Sequence, residues 1–175
     1  MTVEKTHTAL VGILMGSDSD YPMMAEGTKM LEKFGIAYEI EVASAHRTPA
    51  RAHEYAATAI GRGLKVIICA AGAAAHLAGV IAANTTLPVI GVPMSTSALN
   101  GLDALLATVQ MPGGIPVATM AIDKAGAMNA AIFAAEILAL ADTDIARKLV
   151  AYKEEMAKQV AEKNARLQKQ RAEAK

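Results

Sequence analysis

Ser44-Ala45-His46-Arg47-Thr48-Pro49 puts a hydroxyl, an imidazole and a guanidinium within four consecutive residues. Arg47 can hold a phosphate or carboxylate through two parallel charge-assisted hydrogen bonds. His46 belongs to the side-chain type that titrates near neutrality, so it can both give and take a proton in one turnover. An anion clamp beside a proton shuttle is the beginning of an active site. The string also has a plainer use, since a loop histidine can bond a backbone carbonyl. The surrounding elements must decide between the two.

Other clusters bear on that decision. Gly16-Ser17-Asp18-Ser19-Asp20 precedes a helical pattern, where backbone N–H groups and the helix dipole favour an anion. One of Ser17, Ser19 and Asp20 would serve as an N-cap. The cluster offers more polar groups than a cap needs, and Asp20, which repels phosphate, suits ribose hydroxyls. His76, at the end of Gly72-Ala73-Ala74-Ala75-His76, fits a pocket wall or a helix cap. His53 falls on the exposed flank of its helix. His7 sits in a polar terminus and carries no signal. Ser17 and Ser44 lack the G-x-S-x-G elbow of a serine nucleophile.

These residues are positioned by strands and helices in alternation. Ala9 to Met15 is a near-continuous apolar run, the mark of a strand buried on both faces. A helix follows from Tyr21 to Phe34, with Pro22 in its first turn and Gly35 ending it. Ala37 to Ala43 is the second strand, and Pro49 to Gly61 the second helix. Thr48 is placed as that helix's N-cap, with Ala52, Tyr55, Ala56, Ala59 and Ile60 on one apolar face.

Leu64 to Ala71 is the third strand, with a short helix to Asn84. Leu87 to Val92, closed by Pro93, is the fourth, and its helix has Asn100 as a candidate cap. Gln110 to Pro116 holds too many breakers for anything but a shaped loop. Val117 to Ile122 is the fifth strand, followed by an alanine-rich helix from Ala125 to Leu140. A last helix from Asp142 carries Ile145, Leu149, Tyr152, Met156 and Val160 at helical spacing. The charged stretch beyond Val160 reads as a solvated or fraying helix.

Five strands alternating with helices over short connections predict a parallel sheet covered on both faces, with right-handed crossovers. The simplest arrangement is a flavodoxin-like three-layer α/β/α fold of strand order 2-1-3-4-5 with a C-terminal helix. It gathers the loops after strands one, two and three around one crevice at the switch point. The 175 residues read as a single domain, with a core over about 8–160 and a charged tail over 161–175.

Composition narrows the function. Seventeen basic residues balance seventeen acidic ones, so there is no electrostatic footprint for nucleic acid or an anionic membrane. Cys69, the single cysteine, lies in an apolar run and reads as buried filler in a reducing compartment. Neither a signal-peptide pattern nor an apolar run of roughly 18 residues is present, so the expectation is a cytoplasmic protein. No H-E-x-x-H or Cys/His spacing suggests a metal, and neither G-x-G-x-x-G after the first strand nor G-x-x-x-x-G-K-[ST] suggests a dinucleotide or ATP. Hydrophobic residues make up 53% of the chain, which favours burial of some surface in a homo-oligomer.

Gly16-Ser17-Asp18-Ser19-Asp20, Ser44-Ala45-His46-Arg47-Thr48-Pro49, Ala73-Ala74-Ala75-His76-Leu77 and Val109-Gln110-Met111-Pro112-Gly113-Gly114-Ile115-Pro116-Val117-Ala118-Thr119 stand in order. Together they resemble the N5-carboxyaminoimidazole ribonucleotide mutases of bacterial purine synthesis, in their class I form, from Leu10 to Leu140. The resemblance implies a cofactor-free isomerase acting on a small nucleotide. Ser17, Asp20, Ser44 and Arg47 would hold the ribose phosphate, and His46 would be the general acid/base. The loop from Gly72 to Leu77, His76 included, would enclose the migrating carboxylate or carbon dioxide. The family pattern also implies a homo-octamer.

Two positions depart from that pattern. Ala73 and Asp123 stand where glycine is usual; the extra methyl of Ala73 would tighten the pocket, and Asp123 would carry a cost if its φ is positive. Two alternatives compete with the mutase. One is the class II carboxylase that uses free carbon dioxide, although Ala73-Ala74-Ala75-His76-Leu77 looks class I. The other is a flavodoxin-like binding or signalling module, for which the chain lacks tryptophan to stack a flavin and an acidic residue to end the third strand.

Overall fold

The computed structural model describes residues 8–174, so His7 lies outside the described residues. Five parallel strands form one sheet of order β2-β1-β3-β4-β5. They are β1 (Val11–Met15), β2 (Tyr38–Val42), β3 (Val66–Gly72), β4 (Val89–Met94) and β5 (Ala118–Thr119). The helices are α1 (Tyr21–Phe34), α2 (Pro49–Ala59), α3 (Leu77–Ala82), α4 (Leu102–Val109), α5 (Asp123–Ala139) and α6 (Thr143–Glu173). Both the strand order and the three layers match the expectation.

Period-two alternation splits the strand residues between two cores. Val11, Ile13, Met15, Ile68, Ala70, Ile90 and Val92 meet α1, α5 and α6 on one face. Leu14, Ile67, Cys69 and Val89 meet α2 and α3 on the other. Cys69 is buried and burial pushes its thiol up, as befits filler rather than a nucleophile. Small residues bring α1 and α5 together, for a Cβ on Gly27 would stand only 2.7 Å from the carbonyl oxygen of Ala127. The alanines on that face of α5, from Ala127 to Ala135, are fully buried.

The differences from expectation have local causes. β4 runs on through Pro93 to Met94, paired with Ala71 and Gly72 of β3. Pro88 O faces β3 and Gly91 O faces the β5 side, so the nitrogen of Pro93 also points toward β5. The β4–β5 ladder stops at Gly91–Thr119, and the N–H that proline lacks has no partner there to lose. β5 keeps only two residues because its chain leaves the sheet there. Ile60 is exposed rather than on the apolar face of α2. Gly101, not Asn100, stands at the N-cap of α4, and Asn100 takes a φ of +50° just before it.

α6 stays helical to Glu173, 31 residues and therefore about 46 Å long. Ile145 and Leu149 are buried, while Met156 and Val160 are exposed. The charged tail is thus a solvated helix extending past the body.

Candidate active site

The carboxyl ends of β1, β2, β3 and β4 release loops to the same edge of the sheet. A cleft of about 350 Å³ opens there, lined by Ser17, Asp20, Ser44, His46, Arg47 and His76 among others. Those are the six residues expected from sequence, and the cavity is within the size range of small-molecule sites. The cleft lies where the chain leaves β1 for β2 on one side and β3 lies on the other, the switch point of the sheet.

Each wall has its own construction. After β1, Ser17 caps a 3-10 turn (Asp18–Asp20): its Oγ accepts hydrogen bonds from Ser19 N at 3.3 Å and from Ser19 Oγ at 2.8 Å. The cap reading of Ser17 holds, and its side chain still lines the cleft. Asp20 is only 4% exposed. Burial raises its carboxyl above the usual carboxylate range. A hydrogen bond from the backbone of Ser17 opposes this, and the charges of Asp123 and Asp18 add to it.

After β2, Thr48 does not cap α2 with its side chain. It turns back instead: Thr48 Oγ1 accepts from Ser44 N at 2.9 Å and donates to Ser44 O at 3.1 Å. Ser44 Oγ accepts from Arg47 N at 3.2 Å, and Arg47 Nη2 donates to Gly16 O at 3.0 Å. The guanidinium thereby ties the second loop to the first and keeps several of its five donors for a ligand.

After β3, Ala75 N donates to Ala73 O at 2.9 Å and His76 N to Ala74 O at 2.8 Å, a pair of tight turns. Ala73 has a φ of +52°, the left-handed region that favours glycine. Its side chain is exposed and is not among the cleft lining. The departure at Ala73 therefore strains the backbone and does not narrow the pocket. His76 reaches across to His46, with Nδ1 and Nε2 2.9 Å apart.

Sequence reasoning did not single out Thr96, which also lines the cleft. Its signal was the hydroxyl-rich Ser95-Thr96-Ser97 directly after the fourth strand. A Cβ on Gly72 would overlap Thr96 Oγ1, so glycine there lets the two loops close on each other. Asp123 holds the Thr96 loop from behind: its carboxylate accepts from Ser95 N at 2.8 Å and from Ser95 Oγ. Asp123 does sit at positive φ, +59°.

The stretch from Gln110 to Thr119 is not brought to this cleft. Gly114, Ile115 and Pro116 line a separate groove with Leu87 and Pro88. His53 stands on the exposed flank of α2 and bonds Asn84 Oδ1 at 2.7 Å. Among the described residues, no group of three or more His, Cys, Asp or Glu could hold a metal ion, and no helix is long and apolar enough to cross a membrane.

The profile of the AIR carboxylase family matches residues 10–159. This chain belongs to the AIR carboxylase family. Relatives named N5-carboxyaminoimidazole ribonucleotide mutase share 57% identity in Pyrococcus horikoshii, over 94% of this chain and 92% of the relative. In Thermotoga maritima the figure is 58%, over 90% and 91%. The crystal structure of Treponema denticola PurE superposes with a TM-score of 0.78 at 32% identity, covering 91% of this chain and 98% of that one. The matched span takes in the whole sheet, the four cleft loops and α6 as far as Gln159. The charged end of α6 lies beyond the family profile.

Proposed function

We propose that this chain is an N5-carboxyaminoimidazole ribonucleotide mutase. It moves a carboxylate from the exocyclic nitrogen to ring carbon four, giving 4-carboxy-5-aminoimidazole ribonucleotide in purine (IMP) biosynthesis. The observation that carries this reading is the convergence of Arg47, a hydroxyl cluster and His46 on one cleft, in a chain 57% identical to a relative of that name. The substrate is a small nucleotide, and the enzyme is an isomerase.

The chemistry follows from the residues. Arg47, Ser17 and Ser44 offer donors to the phosphate, and Asp20 offers an acceptor to ribose hydroxyls. A carbamate loses carbon dioxide once its nitrogen is protonated, so the imidazolium of His46 gives its proton to the exocyclic nitrogen as the C–N bond breaks. The enamine-like ring carbon four then attacks the retained carbon dioxide, forming the C–C bond. The tetrahedral carbon gives its proton to the now neutral His46, which restores the imidazolium and the aromatic ring. One imidazole serves both transfers, and the cleft supplies orientation and confinement. The small loop from Gly72 to Leu77 bounds the space where carbon dioxide waits.

Pure protein is expected to convert the carbamate nucleotide with no added metal, biotin or nucleoside triphosphate. A rate that depended on dissolved carbon dioxide, with no turnover of the carbamate, would reverse the reading in favour of a carboxylase. That alternative has a relative behind it: the chain is 46% identical to phosphoribosylaminoimidazole carboxylase of Candida glabrata, over 96% of this chain but 29% of that protein. The mutase is favoured by the higher identities over nearly the full length of the relatives. The enzyme works in the cytoplasm as one mutase domain and assembles as a homo-oligomer, an octamer by the family pattern. Leu102, Leu106 and Val109 support assembly, since with Leu99 in the turn before the helix they leave exposed apolar surface along α4. Light scattering tests it: a monomer at micromolar concentration would end that part of the proposal.

A further inference from the structure

The two imidazoles in the cleft come from different strands, yet Nε2 of His46 and Nδ1 of His76 lie 2.9 Å apart. Their rings are nearly perpendicular, at 81°. A nitrogen–nitrogen approach of that length is a hydrogen bond only when one nitrogen carries hydrogen and the other a lone pair. Two N–H groups aimed at each other would repel. The position between the rings therefore holds one hydrogen.

This constraint reaches the outer nitrogens, because a neutral imidazole carries one N–H in all. When His46 donates from Nε2, its Nδ1 is bare and can take a proton. When His76 donates instead, neutral His46 must carry its hydrogen on Nδ1. The partner ring thus decides what His46 presents on the side away from the pair. His76 is well fixed for that task, since its neighbours Ala75 and Leu77 are 1% and 2% exposed and root the turn in the core. Neither outer nitrogen, Nδ1 of His46 or Nε2 of His76, has a hydrogen-bond partner among the described residues, and both rings line the cleft.

We infer that His76 is the positioning residue of His46: through Nδ1 it sets the orientation and the tautomer of the imidazole that moves the protons. The inference rests on the mutase reading for its catalytic meaning. As His46 gives a proton to the carbamate nitrogen, the pair passes from three N–H hydrogens to two. As His46 takes the proton from ring carbon four, the pair returns to three. One hydrogen remains between the rings throughout. His76 then acts through His46 rather than on the substrate.

The test uses the full chain with 15N-labelled histidine, whose ring resonances separate protonated from bare nitrogens. In the ligand-free protein, His46 Nε2 and His76 Nδ1 are expected in complementary states. His76→Phe is expected to redistribute the His46 tautomers, and to lower kcat about 10- to 100-fold with KM changed by less than about threefold. His76→Asn, whose amide stands near the place of Nδ1 and can donate or accept, is expected to recover most of the turnover. Unchanged His46 resonances in His76→Phe, or an Asn variant as slow as the Phe one, would overturn the inference. The spectroscopic arm needs no substrate. Coupled resonances in a protein with no mutase activity would uphold the pair and remove the mutase reading alone.

Discussion

The two walls that deliver the histidines are built on opposite plans. The turn from Ser44 to Thr48 is over-determined: Thr48 Oγ1 bonds Ser44 twice, Ser44 Oγ accepts from Arg47 N, and Arg47 reaches Gly16 O. The turn from Gly72 to His76 is closed within itself by two short backbone bonds and spends one left-handed residue that is not glycine. It relies on burial of Ala75 and Leu77 to stay in place. The wall with the proton-carrying residue is thus held by polar bonds that water can contest. The wall with its partner is held by packing, which water cannot contest. Replacements on each wall should differ in kind, and that contrast can be tested.

The largest effect is expected at His46 itself. His46→Asn keeps a polar group of similar reach but removes the titrating nitrogen. Turnover should fall by roughly 10²–10⁴, the range that general acid–base groups contribute, while affinity for the nucleotide stays within a few-fold. Isothermal titration beside a turnover assay reads both. A variant with full activity would remove His46 from its role and with it the contrast between the walls.

Asp20 is expected next, because it pits binding against stability. Burial foremost raises its carboxyl above the unfolded value. The unfolded chain therefore releases this proton first. Stability falls as pH rises from the unfolded carboxylate range through the folded one, and ionised Asp20 is a net cost at neutral pH. Asp20→Asn should raise Tm at pH 7, with the gain vanishing in acid where Asp20 is protonated in both states. Nucleotide affinity should drop by about 1.5–3 kcal/mol, as for hydrogen bonds to a charged group. A variant that lost stability at pH 7 would show that the carboxylate is a structural ligand, not a binding group held at a cost.

Thr48→Val then probes the polar wall alone, removing both bonds to Ser44 with little change in shape. Because the site is exposed and water can replace the lost partners, the expected cost is about 1 kcal/mol of folding stability. The kcat should fall by more than that figure suggests, since His46 would no longer be held in one place. Urea unfolding and steady-state kinetics separate the two. Equal losses in both would mean the staple matters to the fold and not to the chemistry.

Much of this arrangement was legible beforehand, and the gaps have physical reasons. The apolar run ending at Met15 and the polar cluster after it identify β1 and its loop, because a strand buried on both faces has no other use for so unbroken a pattern. Ser17, Asp20, Ser44, His46 and Arg47 were visible for the same reason, as polar groups just past buried strands. Thr48 was read as a forward cap because position alone favours that, while its hydroxyl in fact folds back on Ser44. Pro93 looked like an end to β4, since only the sheet order reveals that its nitrogen faces a gap. The meeting of His46 with His76 was out of reach, being a matter of how two loops thirty residues apart close on each other. Thr96 escaped because the run Ser95-Thr96-Ser97, though rich in hydroxyls, has no spacing that marks which of them faces the cleft.

The smallest expected effect is at Ala73, and it isolates the packed wall. Ala73 and Asp123 both stand at positive φ, +52° and +59°, where a Cβ crowds the backbone. Asp123 offsets that strain with two bonds to Ser95, whereas the methyl of Ala73 makes none. Ala73→Gly relieves the strain but gives the unfolded chain more freedom, and the two terms oppose each other. Strain of roughly 1–2 kcal/mol against about 0.5–1 kcal/mol of added chain entropy leaves a net gain of about 0.5–1 kcal/mol. The same change at Asp123 should destabilise, because it removes the bonds to Ser95 along with the strain. Since the Ala73 side chain does not line the cleft, KM should be unchanged in Ala73→Gly. A large change in KM would mean that the loop reaches the substrate in a way its packed neighbours do not suggest, and the packed wall would then be part of the binding surface rather than a support for His76.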